Sequence, residues 1–301
     1  RDDRLVGLAP LMMAPARIGS SIIKFIGDGN ADYCDFILSE PHAPLLRAIV
    51  DYLASRRAEW GSICLNNIPQ QSPTVEWLKP LCANQQLPLL FRRSVVCPTF
   101  IFEQPGNAAD AILNKDSLKR PYNYFRAHGD VQFIECTSVE QASALLPLFF
   151  EQHIGRWQGT SNPSLFTNPD NREFYSKLLA RMLPTGWLAF SVVHFNQQPI
   201  AFHYGFEYGG RFLWYKPSFD SGYRKHSPGN LLLRFLLQRA IDHGCLEFDF
   251  TIGNEEFKRR YSNAVRRNIN LQIFPNRPRF YLSDSALRCK QLAKRFAFWR
   301  A

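Results

Sequence analysis

This 301-residue chain predicts a mixed α/β fold with a mostly antiparallel sheet, and three observations carry that expectation. Short apolar runs of strand length alternate with amphipathic stretches of helix length. Three consecutive strand-like runs, 187–195, 200–208 and 211–216, are separated by Asn196-Gln197-Gln198-Pro199 and Gly209-Gly210, which suit hairpins and predict an antiparallel meander. The segment 219–262 then leaves a polar, basic loop, Tyr223-Arg224-Lys225-His226-Ser227, and passes Pro228-Gly229 into an amphipathic helix over about 230–243. That helix stops at Gly244, and a short apolar strand follows over 246–250. A loop of this kind before a helix presents backbone N–H groups and the positive end of the helix dipole, which suits a phosphate or pyrophosphate. An ordinary capped helix has the same pattern.

In chain order, strands are expected over 5–13 and 21–26, and a third over 33–38 ends at Ser39-Glu40-Pro41-His42. A helix over about 43–59 reaches Gly61, followed by a strand at 62–65, a helix around 74–83 and a strand from 89 towards 102. Pro105-Gly106-Asn107 marks a linker over 103–110. A basic helix over 115–128 carries Lys115, Lys119, Arg120 and Arg126, with Pro121 interrupting it; it reads as a solvated face or as a nucleic-acid contact. A strand at 131–136 and helices at 139–152 and 169–183 lead into the meander. Beyond the helix and strand of 230–250, a short helix at 255–261, a strand at 268–274 and a helix over 283–299 complete the chain. The last interleaves Arg288, Lys290, Lys294 and Arg295 with Leu292, Phe296 and Trp299, as a docked terminal element or a peripheral membrane contact would.

Composition bounds the function. With 46% hydrophobic and 21% charged residues the chain is globular, and it is long enough for one large domain or two of moderate size. No apolar run approaches the roughly 20 residues that span a bilayer. The chain opens on Arg1-Asp2-Asp3-Arg4, without an initiator Met or signal peptide, so it is expected to begin inside a longer protein. The net charge of +10 favours polyanionic partners, although no RNA-binding or zinc-finger signature accompanies it. The seven cysteines (34, 64, 82, 97, 136, 245 and 289) include no C-x-x-C pair and read as reduced core residues of a cytoplasmic protein, with no metal site or disulfide frame.

The order of elements repeats. Strand, strand, polar loop with Pro, helix, Gly, short strand, helix, strand describes both the first hundred residues and 200–274. Leu45-Leu46-Arg47 answers to Leu232-Leu233-Arg234, and Gly61 to Gly244, with an offset of about one helical turn. Further short motifs are His153-x-x-Arg156-Trp157, Pro199-Ile200-Ala201-Phe202, Phe219-Asp220-x-x-Tyr223, Ser227-Pro228-Gly229 and Phe248-Asp249-Phe250-x-x-Gly253-x-Glu255-x-Phe257-Lys258, with Ala31-Asp32-Tyr33 and Pro10-Leu11 in the first half. On these residues and this order the chain resembles the GCN5-related N-acetyltransferase (GNAT) superfamily. The duplication resembles the tandem FemAB-type transferases, and the second half resembles the CelD/BioF2-like acetyltransferase domain. The resemblance implies tandem GNAT-like lobes, each a mixed, mostly antiparallel sheet flanked by helices. The first lobe, N-terminally truncated, would occupy 1–104, and the second, with the donor site and C-terminal helix, 105–301. The loop His226-Ser227-Pro228-Gly229-Asn230 departs from the R/Q-x-x-G-x-G/A of typical acetyl-CoA binders.

The resemblance further implies an N- or O-acyltransferase with acyl-CoA as donor and no metal. The donor's pantetheine arm would pair with the strand bearing Trp214, Tyr215 and Lys216. Its pyrophosphate would lie against Arg224, Lys225, His226, Ser227, Gly229 and Asn230. Asp220 is the candidate base or acceptor anchor, or alternatively a turn residue beside Ser221-Gly222. His153 would be a base titrating near neutrality, or a helix-end cap. Tyr223 would protonate the leaving thiolate, or pack. Arg156 and Trp157 would shape the acceptor pocket, and Asp249 and Lys258 would bind substrate or form a structural ion pair. The expected acceptor is a small molecule or glycan: an envelope sugar, a polysaccharide precursor or a related amine. An aminoacyl-tRNA-dependent Fem-like transferase and a non-catalytic binding protein remain as alternatives. No cysteine has a defensible His and acid partner, which disfavours a covalent acyl-enzyme.

Overall fold

The computed structural model describes residues 5–16, 21–102, 108–160 and 162–282. Along the chain come β1 (Gly7–Leu8), β2 (Leu11–Ala14), β3 (Ile22–Phe25), β4 (Ile37–Leu38), α1 (His42–Ser55), β5 (Ser62–Pro69), α2 (Pro73–Asn84) and β6 (Leu89–Ile101). These are followed by α3 (Ala108–Leu113), α4 (Asp116–His128), β7 (Val131–Glu135), α5 (Val139–Trp157), α6 (Pro169–Met182), β8 (Leu188–Phe195), β9 (Gln198–Tyr208) and β10 (Arg211–Phe219). The last elements are α7 (Pro228–Asp242), β11 (Glu247–Asp249), α8 (Glu256–Tyr261) and β12 (Ala264–Ile273). The expected helix over 283–299, part of the expected linker and Cys289 lie outside the described residues. Among those residues no helix is long and apolar enough to cross a membrane.

Two compact units form, Arg1–Cys97 with Arg266–Ala301, and Pro98–Val265. This partition differs from a linear division at 104/105. Most of β12 belongs with the first unit because Ile269, Leu271 and Ile273 join the core made by Leu46, Val50, Trp60, Ile63 and Leu65. Its partner there is β5, in antiparallel register with Ile273 opposite Ile63. The end of β6 in turn closes on β11 in the second unit, Phe100 opposite Phe248.

In the first unit β2 and β3 form an antiparallel pair, and β3 runs parallel to β5. The helix between those parallel strands, α1, buries Leu46, Val50, Leu53 and Ala54, a stripe at helical spacing. The strand expected over 33–38 shrinks to Ile37–Leu38. Side chains replace the ladder before it: Asp35 Oδ1 accepts from the Phe36 amide at 2.8 Å and from Thr74 Oγ1 at 2.7 Å.

The second unit has strand order β6-β11-β10-β9-β8-β7. The meander takes the expected form. Asn196 and Gln197, at φ 48° and 67°, turn β8 into β9, and Gly209 and Gly210, at 57° and 73°, turn β9 into β10. Consecutive left-handed residues match the twist of a two-residue hairpin. α7 then carries the chain over to β11, which lies parallel to β10. Both units therefore repeat one sequence of steps, an antiparallel hairpin followed by a helix and a parallel strand. α7 buries Leu231, Leu232, Leu233, Leu236, Leu237 and Ala240.

Pro121 does not interrupt α4, which runs through it. A helical proline leaves the carbonyl four residues earlier without its N–H. Here that carbonyl belongs to Ser117, and the side-chain amide of Asn230, at the start of α7, donates to it at 3.1 Å. The charges of this helix have local partners: Lys115 Nζ donates to the Arg260 carbonyl at 2.5 Å, Arg120 faces Asp116, and Arg126 bonds the Tyr122 hydroxyl.

Candidate active site

Two faces of α5 decide which of its residues meet a ligand. Ala142, Leu146, Phe149, Phe150 and His153 form its buried stripe. Leu148, Gln152 and Arg156, four residues apart, belong to a neighbouring stripe that lines a groove of about 320 Å³. Glu151, Gly155, Pro199, Phe202, Asp220 and Ser221 complete its lining. Asp220 and Arg156 thus line one groove, while Glu151, Gln152 and Ser221 join them as residues outside the assigned site. The four-residue spacing along α5 is the signal that points to Gln152.

Asp220 follows β10 and caps the short helix at 221–226, its Oδ1 accepting from the Gly222 amide at 2.8 Å. The turn role and the groove role therefore coexist in one carboxylate. Arg156 Nη1 donates to the Pro217 carbonyl at 2.7 Å, and its guanidinium lies 4.5 Å from the Phe219 ring centroid and 5.3 Å from that of Trp157. Burial, aided by the nearby charge of Arg224, lowers its pKa to about 10. The indole N–H of Trp157 is buried without a hydrogen-bond partner.

His153 differs from the expectation of a base near neutrality. It is 5% exposed, packs against Phe149 and Phe166, and shares a 2.8 Å hydrogen bond between Nδ1 and Ser164 Oγ. Burial first, then the charges of Arg156 and Lys216, push its pKa down to about 3. It remains neutral across the physiological range and does not line the groove. Tyr223 packs its ring against Phe125 and Phe195, and His226 stacks on Tyr124 with centroids 3.9 Å apart.

The strand expected to meet the donor is β10. β10 pairs with β11 only over Arg211–Leu213, although β10 continues to Phe219, and its register with β9 shifts between Leu213 and Lys216. The parallel pairing therefore ends at Leu213, where β11 itself ends at Asp249. The Trp214 side chain is 5% exposed within the core, so the cofactor contact expected of it can come only from its backbone; its carbonyl accepts from Thr251 Oγ1 at 3.3 Å. The Tyr215 hydroxyl meets that of Tyr175 at 2.7 Å, and Lys216 Nζ lies 4.1 Å from the Tyr215 ring centroid.

At the start of α7, Ser227 takes a left-handed conformation with φ 55°. Its carbonyl accepts from the Asn230 and Leu231 amides, and Pro228 has no N–H, so Gly229 supplies the remaining amide of this turn. Arg224 and Lys225 are exposed beside it. Asn230 differs from its expected role, since its side chain is spent on Ser117. Asp249 and Lys258 lie outside the groove lining. Asp249 Oδ1 accepts from the Thr251 amide at 2.7 Å, and Lys258 Nζ donates to the Ile252 carbonyl at 2.6 Å, 3.5 Å from Glu255. A Cβ on Gly253, at φ 147°, would stand 1.9 Å from Glu255 Oε2 and 2.7 Å from Lys258 Nζ, so the Gly253-x-Glu255-x-Phe257-Lys258 motif is one of local packing.

Burial raises the thiols of Cys34, Cys136 and Cys245 to about 11 and that of Cys82 to about 12. A thiol held there is protonated at neutral pH and a poor nucleophile.

The family model described as an acetyltransferase (GNAT) domain matches residues 114–259. This segment is a GNAT domain. The fold around it is shared with solved structures of low sequence identity. FemX is 11% identical, with 94% of this chain and 88% of that one covered and a TM-score of 0.64. L-PGS from Bacillus licheniformis is 11% identical, with coverage of 89% and 81% and a TM-score of 0.58. The C-terminal domain of an Agrobacterium fabrum protein provisionally named a lysylphosphatidylglycerol synthetase is 15% identical, with coverage of 92% and 84% and a TM-score of 0.57. No curated protein matches the chain in sequence. The matched segment runs from α4 into α8 and so contains the groove, the β10–β11 pairing and the start of α7. The chain accordingly has the fold of a GNAT-type transferase.

Proposed function

We propose that the GNAT domain transfers an acyl group from acyl-CoA to an amine or hydroxyl of a small polar acceptor held in the groove of Arg156 and Asp220. The observation that carries this reading is that β10 runs on from Leu213, where its pairing with β11 ends, to the groove residue Asp220. Backbone groups of β10 beyond Leu213 that are left outside the short pairing suit the amides of a pantetheine arm, the Trp214 and Pro217 carbonyls being taken by Thr251 and Arg156. Arg224, Lys225 and the Gly229 amide suit its phosphates, through charge-assisted hydrogen bonds and the dipole of α7. The donor supplies an activated thioester. Asp220 takes the proton that the acceptor gives up as its nitrogen or oxygen bonds to the acyl carbon and the carbon–sulfur bond breaks. The thiolate leaves with the CoA and is protonated by solvent. Arg156 and Gln152 orient the acceptor.

A thermal-shift panel with acetyl-CoA, longer acyl-CoAs and aminoacyl-tRNA tests the donor, because a ligand that binds only the folded state raises its apparent stability. Acyl-CoA should raise Tm, and Arg224→Ala with Lys225→Ala should weaken its binding about ten-fold while leaving the unliganded Tm unchanged. The fold shared with FemX and L-PGS fits an aminoacyl donor as well. Stabilisation by aminoacyl-tRNA alone, falling steeply with salt, would replace acyl-CoA in this reading.

A further inference from the structure

We propose that the acceptor is a small zwitterion, an amino acid or amino-sugar acid, whose carboxylate is bound by Arg156 while its amine is presented to Asp220. This inference rests on the transferase reading above and names the substrate class of the same groove.

Arg156 is a cation of the groove with no ion-pair partner among the described residues. Among the described residues no carboxylate stands within ion-pair distance of the Arg156 guanidinium, whose hydrogen bond goes to the neutral Pro217 carbonyl. It is half-buried between the Phe219 and Trp157 rings, and the charge beside it, Arg224, is of the same sign. Burial first, and then the like charge of Arg224, lower its pKa to about 10, which leaves the group protonated at neutral pH. Desolvating a cation is costly unless an anion compensates it. Lys216 adds to the field, since it and Arg156 both depress His153. A hydroxyl-bearing neutral sugar offers no such compensation. A carboxylate does, with the planar, bidentate geometry that a guanidinium fits.

The same groove carries two acids, Glu151 and Asp220. Neither forms an ion pair with Arg156, so positive and negative groups are held apart within one cavity of about 320 Å³. That volume suits one amino acid or one monosaccharide. A molecule with an ammonium at one end and a carboxylate at the other answers both ends, and its amine is delivered to the carboxylate that must take a proton from it. The donor's phosphates have their own cations, Arg224 and Lys225, next to the Gly229 turn, which lies outside the groove lining.

Paired acceptors that differ only in the acid test the inference: glycine and glycinamide, L-alanine and L-alaninamide, glucosaminate and its amide. Release of CoA thiol from acetyl-CoA is followed with the wild-type chain, Arg156→Gln and Arg156→Lys, after circular dichroism has shown each variant folded. The acid of each pair should be preferred at least ten-fold in kcat/KM, with the difference in KM. Arg156→Gln should abolish that preference and Arg156→Lys restore part of it, while the Kd for acetyl-CoA stays unchanged. Equal use of the neutral partners, survival of the preference in Arg156→Gln, or loss of acetyl-CoA affinity in that variant each overturns the inference. If no pair is turned over, thermal shift with the amino acids alone decides. Stabilisation by the acids and not the amides, lost in Arg156→Gln, upholds the subsite, and its absence overturns it. Failure of acetyl-CoA to bind refutes the donor reading separately, since the amino-acid arm needs no donor.

Discussion

Asp220 combines two roles that usually fall to different residues. Its Oδ1 holds the turn at Ser221-Gly222 through the Gly222 amide, and the same side chain lines the groove. Asp220→Asn keeps an oxygen to accept from that amide and removes the negative charge, so it separates the turn from the chemistry. We expect turnover to fall by roughly 10²- to 10⁴-fold, the range for a positioned acid or base, with the Kd for acetyl-CoA unchanged. Full turnover in that variant would move the base to Glu151. His153, by contrast, is removed from the chemistry by its position on the buried stripe of α5, which Ala142, Leu146 and Phe149 already outline in the sequence at spacings of four and three. Its motif companion Arg156 escapes the core because three further residues rotate it onto the neighbouring stripe.

At the scale of the element, α4 illustrates how a rule of local sequence is overridden. Pro121 should break the helix, yet the carbonyl it leaves open is filled by an amide 113 positions away. Asn230→Ala should therefore destabilise the chain by about 1 kcal/mol, the low end of the cost of leaving a part-buried acceptor unsatisfied, read as a shift in urea midpoint. Asn230→Asp, which places an acceptor against an acceptor, should cost at least as much. If both variants unfold like the wild type, the bond contributes nothing. The hairpins behave in the opposite way. Asn196-Gln197 and Gly209-Gly210 impose their turns from local chemistry alone, and the strands on either side follow.

Across the whole molecule, two buried histidines tie stability to pH. Burial lowers the pKa of both His153 and His203 to about 3, the latter with help from Arg239. In the unfolded chain each titrates near 6.5. Between these values the unfolded state binds protons that the folded state refuses, so stability falls as pH falls from about 6.5 towards 3, and neither group contributes above that window. Each can add up to about 1.4 kcal/mol per pH unit to the slope. Denaturant midpoints between pH 7.5 and 4.5 should show this, before most carboxylates titrate. A flat or opposite trend over that span would contradict the buried, neutral state of both rings.

The residues by themselves determine the strand–helix alternation, the meander and the helix and strand that follow it, because hydrophobic period, turn chemistry and helix stops act over a few neighbours; the GNAT-type reading rests on the resemblance of the short motifs to that superfamily. Arg156 and Asp220 are named through the family resemblance of their motifs, since a basic residue in the last turn of a helix and an Asp at a turn are common by themselves. Tertiary structure alone decides that β12 joins the core of Trp60 and Ile63, that α4 survives Pro121, and that Asn230 serves a carbonyl and not a phosphate. It alone shows that the Arg156 charge has no partner among the described residues while two carboxylates line the same groove. Those facts depend on which distant groups share a surface, and no local pattern encodes the distance between a charge and its missing counter-ion.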